Sequence, residues 1–183
     1  MDFANGDLTL TYGTVSAKAT TLKNVTGIEI DDQDQTTFAA LETNIRNNYS
    51  GWYFDFSETG ERNLGQAALL GEILTFSTYV PDNDLCASEG ASYLYGVYYK
   101  TGTGYWKGVL KTDDNPSGID SSNKVIYKID VGKGYSSTPN LHTGGEEGSK
   151  AFLQTSTGAI IGVKQTNPGA TKSGGVYWRQ VLQ

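Results

Sequence analysis

The chain has 183 residues, enough for one domain with its own core, and its apolar share of 37% is slightly low for that size. It carries 12 Tyr, 6 Phe and 3 Trp, so large rings must supply much of the packing surface. A net charge of -6 disfavours nucleic acid, which requires clustered Lys and Arg, and a single histidine, His142, argues against His-based metal sites and His-dependent triads.

Strand-like segments recur at short intervals. The first are residues 7–12 and 27–31. Residues 36–48, TTFAALETNIRNN, break the pattern: Phe38, Ala40, Leu41 and Ile45 fall at helical spacing, Thr36 or Thr37 is placed to cap them, and Asn47-Asn48 to end them. This predicts one short amphipathic helix lying on a sheet. Residues 51–56 then put Trp52, Phe54 and Phe56 on one face and Tyr53 and Asp55 on the other.

Residues 67–70 and 73–80 flank Gly71-Glu72, a two-residue hairpin turn. Residues 92–100 and 104–111 flank Thr101-Gly102-Thr103, a second hairpin. In the first of these strands Tyr93, Tyr95, Val97 and Tyr99 share one face while Leu94 and Tyr98 take the other, which implies burial on both sides. Residues 124–131 alternate Val125, Tyr127, Ile129 and Val131, residues 151–155 and 159–164 flank Ser156-Thr157-Gly158, and residues 175–182 close the chain. KTGTGYWKGVL, 100–110, aligns without gaps on KSGGVYWRQVL, 172–182: each copy is a Gly turn followed by a strand opening Tyr-Trp. A repeated unit of this kind suits blade-like sheets that pack face to face.

No run approaches the roughly 20 apolar residues of a membrane span. The opening MDFANGDLTL has no basic region followed by an apolar stretch, so no secretory signal is expected. Cys86 is the single cysteine, which fits a reducing compartment and equally a piece of a larger exported protein. Asp31, Asp32 and Asp34, then Asp82 and Asp84, then Asp113, Asp114 and Asp120 form acidic clusters. Only DDNPSGID approaches a calcium loop, with Gly118 at the bend, but Pro116 and the lack of a bidentate Glu spoil it. Asp113, Asp114 and Asp120 are the weak metal candidates, and no tight calcium site and no cofactor are expected. Glu58 with Glu61 and Glu146 with Glu147 are sequence neighbours, which seldom face each other across a cleft as glycosidase carboxyls must. Ser156 lacks the strand-to-helix elbow of a serine hydrolase. The expectation is therefore a protein without catalytic machinery, in which Trp52, Phe54, Phe56, Trp106 and Trp178 are core anchors and Arg62 pairs with Asp55 to fix a turn.

The stretch GWYFDFSETGER resembles the Gly-Trp-Tyr, aspartate, Gly-Glu-Arg signature in the C-terminal β-propeller of PilC/PilY-type tip adhesins of type IV pili. ILTFSTYVPDNDLC, GASYLYGVYYKTG, VGKGYSSTPNL, KAFLQTSTGAII and SGGVYWRQ follow in the order of that family's last blades. The resemblance covers residues 51–183, while 1–50 match only loosely and are expected to join the same compact unit. It implies an all-β fold of antiparallel blade-like sheets, a partial β-propeller, with one short helix. It implies a non-enzymatic fragment or subunit in pilus biogenesis, surface attachment or filament association, located outside the cell or at its surface. The implied partners are the remainder of a longer pilus-tip protein, a pilin-like subunit or copies of itself, with a host or surface ligand. The Asp-rich calcium loop of these propellers has no good counterpart in the chain. A carbohydrate-binding, lectin-like module is the alternative, followed by a fragment of a quinoprotein propeller enzyme.

Overall fold

The protein is described here by a computed structural model covering residues 21–82, 90–143 and 148–169. The expected strands at 7–12 and 175–182, the second copy of the repeat, Asp84, Cys86, Glu146, Glu147 and Trp178 lie outside the described residues.

At the centre is an antiparallel pair, β5 (Ile73–Val80) and β6 (Ala91–Tyr98), in register from Ile73 opposite Tyr98 to Val80 opposite Ala91. The second side of β6 is taken by β8 (Lys128–Lys133), with a register shift at Ser92/Tyr93. The second side of β5 is shared end to end by β3 (Arg62–Asn63) and β4 (Ala68–Leu70). The β4–β5 turn is Gly71-Glu72, with φ of 55° and 72°. Two left-handed residues give a hairpin turn the twist of its strands. A side chain at residue 71 is also barred by Asn167, whose Cβ would lie 2.3 Å away.

A second antiparallel sheet has the order β7-β11-β10-β9, from β7 (Leu110–Lys111), β11 (Ile160–Gln165), β10 (Ser149–Gln154) and β9 (Asn140–His142). Its β10–β11 hairpin closes where the Thr155 amide donates to the Ala159 carbonyl at 2.9 Å. Thr155 to Ala159 is thus the turn, around the expected Ser156-Thr157-Gly158.

The two sheets share one core. Ile73, Leu94, Tyr98 and Val131 of the first meet Leu110, Ala151, Leu153 and Val163 of the second. Between them runs a polar seam: Thr75 Oγ1 donates to Gln165 Oε1 at 2.8 Å, and Ser92 Oγ to the Gly134 carbonyl at 2.6 Å. The opposite face of the first sheet carries a second cluster built on Phe76, Tyr95 and Val97. Strand β6 is therefore buried on both faces, as its double set of large side chains implies.

The remaining layer is a crossover. β1 (Leu22–Asn24) and β2 (Gly51–Tyr53) pair in parallel, Leu22 opposite Gly51, and the helix α1 (Gln35–Asn48) lies between them in the chain. Parallel neighbours cannot be joined by a tight turn, so a helix-bearing connection is the natural one. Phe38 and Ile45 of α1 are buried and Ala40 is exposed. Phe38 reaches the sandwich core, where its ring lies 5.2 Å from that of Tyr98.

Three expectations need correction. The cap of α1 is Asp34, whose side chain accepts the Thr37 amide at 2.9 Å, not Thr36 or Thr37. A carboxylate on the residue just before the helix answers both the open N–H and the positive end of the helix dipole. Residues 27–31 form no strand beyond a single bridge from Asp31 to Lys124, because Thr26-Gly27 turns the chain there. Residues 104–111 do not return beside β6: its edge goes to β8, and only Leu110–Lys111 become strand, in the other sheet. The described residues are thus all-β in class, with antiparallel sheets and one complete helix, and they form no closed ring of blades.

Candidate functional site

The stretch 51–62 starts as strand β2 and continues extended across the outer face of β5 and β6. Alternation sends Trp52, Phe54 and Phe56 to the same side, where they pack on the Phe76, Tyr95 and Val97 cluster. Phe54 lies 5.8 Å from Tyr95 and 5.6 Å from Phe56, ring centre to ring centre, and Phe76 and Tyr95 stack at 5.1 Å and 3°. The stretch is tied down by the Val25 amide on the Tyr53 carbonyl at 2.9 Å and the Asp55 amide on Thr26 Oγ1 at 2.9 Å.

Its far end carries a buried carboxylate. The turn at Ser57–Gly60 folds Glu61 under the stretch, with its side chain 0% exposed. Thr78 Oγ1 and Tyr95 OH donate to Glu61 Oε1 at 2.6 and 2.7 Å, and Lys128 Nζ and the Glu58 amide to Oε2 at 3.2 and 3.3 Å. Burial alone would raise this carboxyl, but the hydrogen bonds from Thr78, Tyr95 and Lys128, with the charge of Lys128, leave it below its ordinary value. Burial and its bond to Glu61 push the Tyr95 phenol far up in turn. Lys128 is held over the Tyr93 ring at 4.0 Å and also donates to Ser57 Oγ at 2.9 Å. All of Glu61's strong acceptor positions are engaged, so the group locks the stretch in place and offers no open face to a substrate. Arg62, by contrast, is exposed and donates Nε to the Gly60 carbonyl at 3.2 Å. The acid that fixes this turn from within is Glu61, and Lys128 is the cation that meets it.

At the near end of the stretch an open groove of about 290 Å³ lies between the last turns of α1 and the end of β6. Tyr49, Trp52 and Tyr99 give it aromatic walls, and Glu42, Arg46 and Lys100 give it charge. Trp52 is fixed by its Nε1 donating to the Tyr99 carbonyl at 2.8 Å. Its ring rests on Gly102, where a Cβ would come within 2.2 Å of the indole, and φ is +70°. Lys100 meets Glu42 at 3.3 Å and lies 5.5 Å from the centre of the Tyr99 ring. Its ammonium pKa is raised by its contact with Tyr98 and by Glu42. The groove can hold a flat ligand with polar edges. Arg46, Tyr49 and Lys100 were not readable as a set, since they meet only when the crossover brings α1 beside the end of β6.

The other candidates fall elsewhere. Trp106 packs on the sandwich core, with Lys107 Nζ 4.1 Å from its ring centre. Asp120 accepts the amides of Ser122 and Lys124, both at 2.8 Å, and so spends its carboxylate shaping a turn. Asp113 is 98% exposed and 3.7 Å from Lys164. Among the described residues no three His, Cys, Asp or Glu side chains converge on a common point. Ser156 Oγ accepts the Tyr135 amide at 3.0 Å. No helix among the described residues is long and apolar enough to cross a membrane. Comparison with protein-family models, with curated proteins and with solved structures finds no match.

Proposed function

We propose that the chain is a non-enzymatic binding and assembly module of a type IV pilus-associated adhesin, corresponding to blades of the C-terminal propeller of PilC/PilY-type proteins. The observation that carries this reading is the stretch GWYFDFSETGER, which resembles that family's signature and serves here as the strap over the central sheet. Its Gly-Glu-Arg end supplies the buried Glu61 lock, so the signature has a physical reason to take this form. Two antiparallel sheets packed face to face are compatible with neighbouring blades. On this reading the protein acts at the cell surface, and its partner is the rest of a pilus-tip protein, a pilin-like subunit or a second copy. Affinity capture from sheared pilus preparations tests it: recovery of pilin or minor pilins with the chain is expected. A chain that recovers neither, and whose loss leaves piliation and attachment unchanged, would rule the reading out.

The groove beside Trp52 favours one second reading, a lectin-like module, because aromatic walls with a charged rim suit a sugar ring. Glycan-array binding abolished by Trp52→Ala would support it. An array without a hit would remove it.

A further inference from the structure

The register of the four-stranded sheet gathers a row of cations that the sequence scatters. Lys111 lies opposite Lys164, Lys164 opposite Lys150, and Lys150 opposite His142. Residues directly opposite in an antiparallel ladder project to the same face with Cβ atoms about 5 Å apart. Their neighbours Leu110, Val163, Ala151 and Leu141 pack into the core, so the row occupies the sheet's outer face. Like charges directly opposite one another destabilise a sheet. The register thus brings three lysines side by side on one face of a chain whose net charge is -6. Asp113 meets Lys164 only from full exposure, an arrangement that costs little to displace.

The adjacent row has a different character. Asn140, Phe152 and Gly162 are mutually opposite. The Phe152 ring lies across Gly162, where a Cβ would be 3.1 Å from Cε1, and it remains 38% exposed. Glycine on the neighbouring strand lets the ring lie over the sheet and show its face. Gln154 and Ile160 are opposite each other one row further on.

We infer that this face binds an anionic polysaccharide. The lysine row takes carboxylate or sulfate groups, the Phe152 ring takes the flat side of a sugar, and Asn140 and Gln154 take hydroxyls. An open sheet face suits an extended polymer running over it. One exposed ring beside a short row of charges, on an acidic protein, suits a chain with about one charge per sugar better than nucleic acid. The inference uses a different surface from the groove and does not depend on the pilus reading.

The test uses the full chain with polygalacturonate, with neutral dextran and single-stranded oligothymidylate as comparators, in affinity electrophoresis. Polygalacturonate is expected to retard the protein and dextran to leave it unmoved. Lys150→Gln combined with Lys164→Gln should weaken binding by at least about tenfold, and Phe152→Ala by about tenfold with all charges kept. Raising salt from about 50 to 200 mM should also weaken it roughly tenfold, as release of counterions from a few contacts requires. Absence of binding, binding insensitive to Phe152→Ala, or equal binding of oligothymidylate would overturn the proposal. NMR titration of the unmutated protein covers the event that a variant misfolds. Shifts should centre on residues 111, 140–142, 150–154 and 160–164, and shifts centred elsewhere would overturn it as well.

Discussion

The two faces of the β5–β6 pair are covered in different ways. On the inner face Ile73 and Leu94 meet a whole second sheet, which presents Leu110, Leu153 and Val163. On the outer face Phe76, Tyr95 and Val97 meet a single extended stretch. A sheet delivers side chains in two dimensions, so medium aliphatic residues fill the space. A lone stretch delivers one inward side chain per two residues, about 7 Å apart, so each must be large. Trp52, Phe54 and Phe56 meet that need, and the aromatic surplus of the sequence follows in part from covering a sheet with one strand's width of chain. A lone stretch also lacks a full ladder of hydrogen bonds, and Glu61 supplies the anchor that the ladder would have given.

The comparison breaks most sharply at that anchor. Glu61→Ala should destabilise the protein by about 3–5 kcal/mol, since it leaves the Thr78 and Tyr95 hydroxyls without their acceptor under the strap and takes from Lys128 the nearer of two carboxylates. A loss below about 1 kcal/mol in urea unfolding would show the outer cover to be held by its rings alone. The same group sets a pH response. Its carboxyl lies below the ordinary 4.5 in the folded protein, so its contribution is complete above that value. It is lost as pH falls through the folded-state value. Glu61→Gln should flatten this acid-side fall in melting temperature. A variant with the full acid slope would point to other carboxylates.

The inner face should respond globally. Leu94 is 0% exposed, and Leu94→Ala should remove about 3–4 kcal/mol and raise hydrogen exchange in both sheets together. Trp52→Ala, at a half-buried ring, should remove about 2–3 kcal/mol and raise exchange chiefly at 51–56. Identical exchange patterns for the two variants would mean that the two covers form one cooperative unit. The smallest effect is expected away from both faces: Asp34→Ala should fray the start of α1 and lower the melting temperature only slightly. A thermal shift no larger than that of an exposed control substitution would show the cap to be idle.

Local pairings were legible because their signals are local. Gly71-Glu72 and the Thr155–Ala159 turn sit between alternating runs, and the two-sided burial of β6 follows from large residues at both parities. The helix was readable from Phe38, Leu41 and Ile45. The parallel β1–β2 pair was not, because three-residue strands carry no period and the partners are separated by α1. The return of 104–111 beside β6 was misread for a related reason: a Gly turn states that the chain reverses, not which strand becomes its neighbour. In the sequence Glu61 is only a near neighbour of Glu58, since burial of its carboxylate depends on Thr78, Tyr95 and Lys128, far along the chain. In the basic row, Lys150 opposite Lys164 follows from the length of one turn. Lys111 and His142 join only through the sheet order.

The sheet order also sets a timetable for biosynthesis. Strands β5 and β6 can pair as soon as both have left the ribosome. Leu94 then waits for Val163, the far side of its own core, for several seconds at about 5–20 residues per second. The strap at 51–56 is made before either strand and can close over Tyr95 at once, but the aliphatic side stays bare. A nascent chain stalled between Tyr98 and Leu153 therefore displays an apolar sheet surface on one side only, which makes that interval the one in which holding chaperones have something to bind.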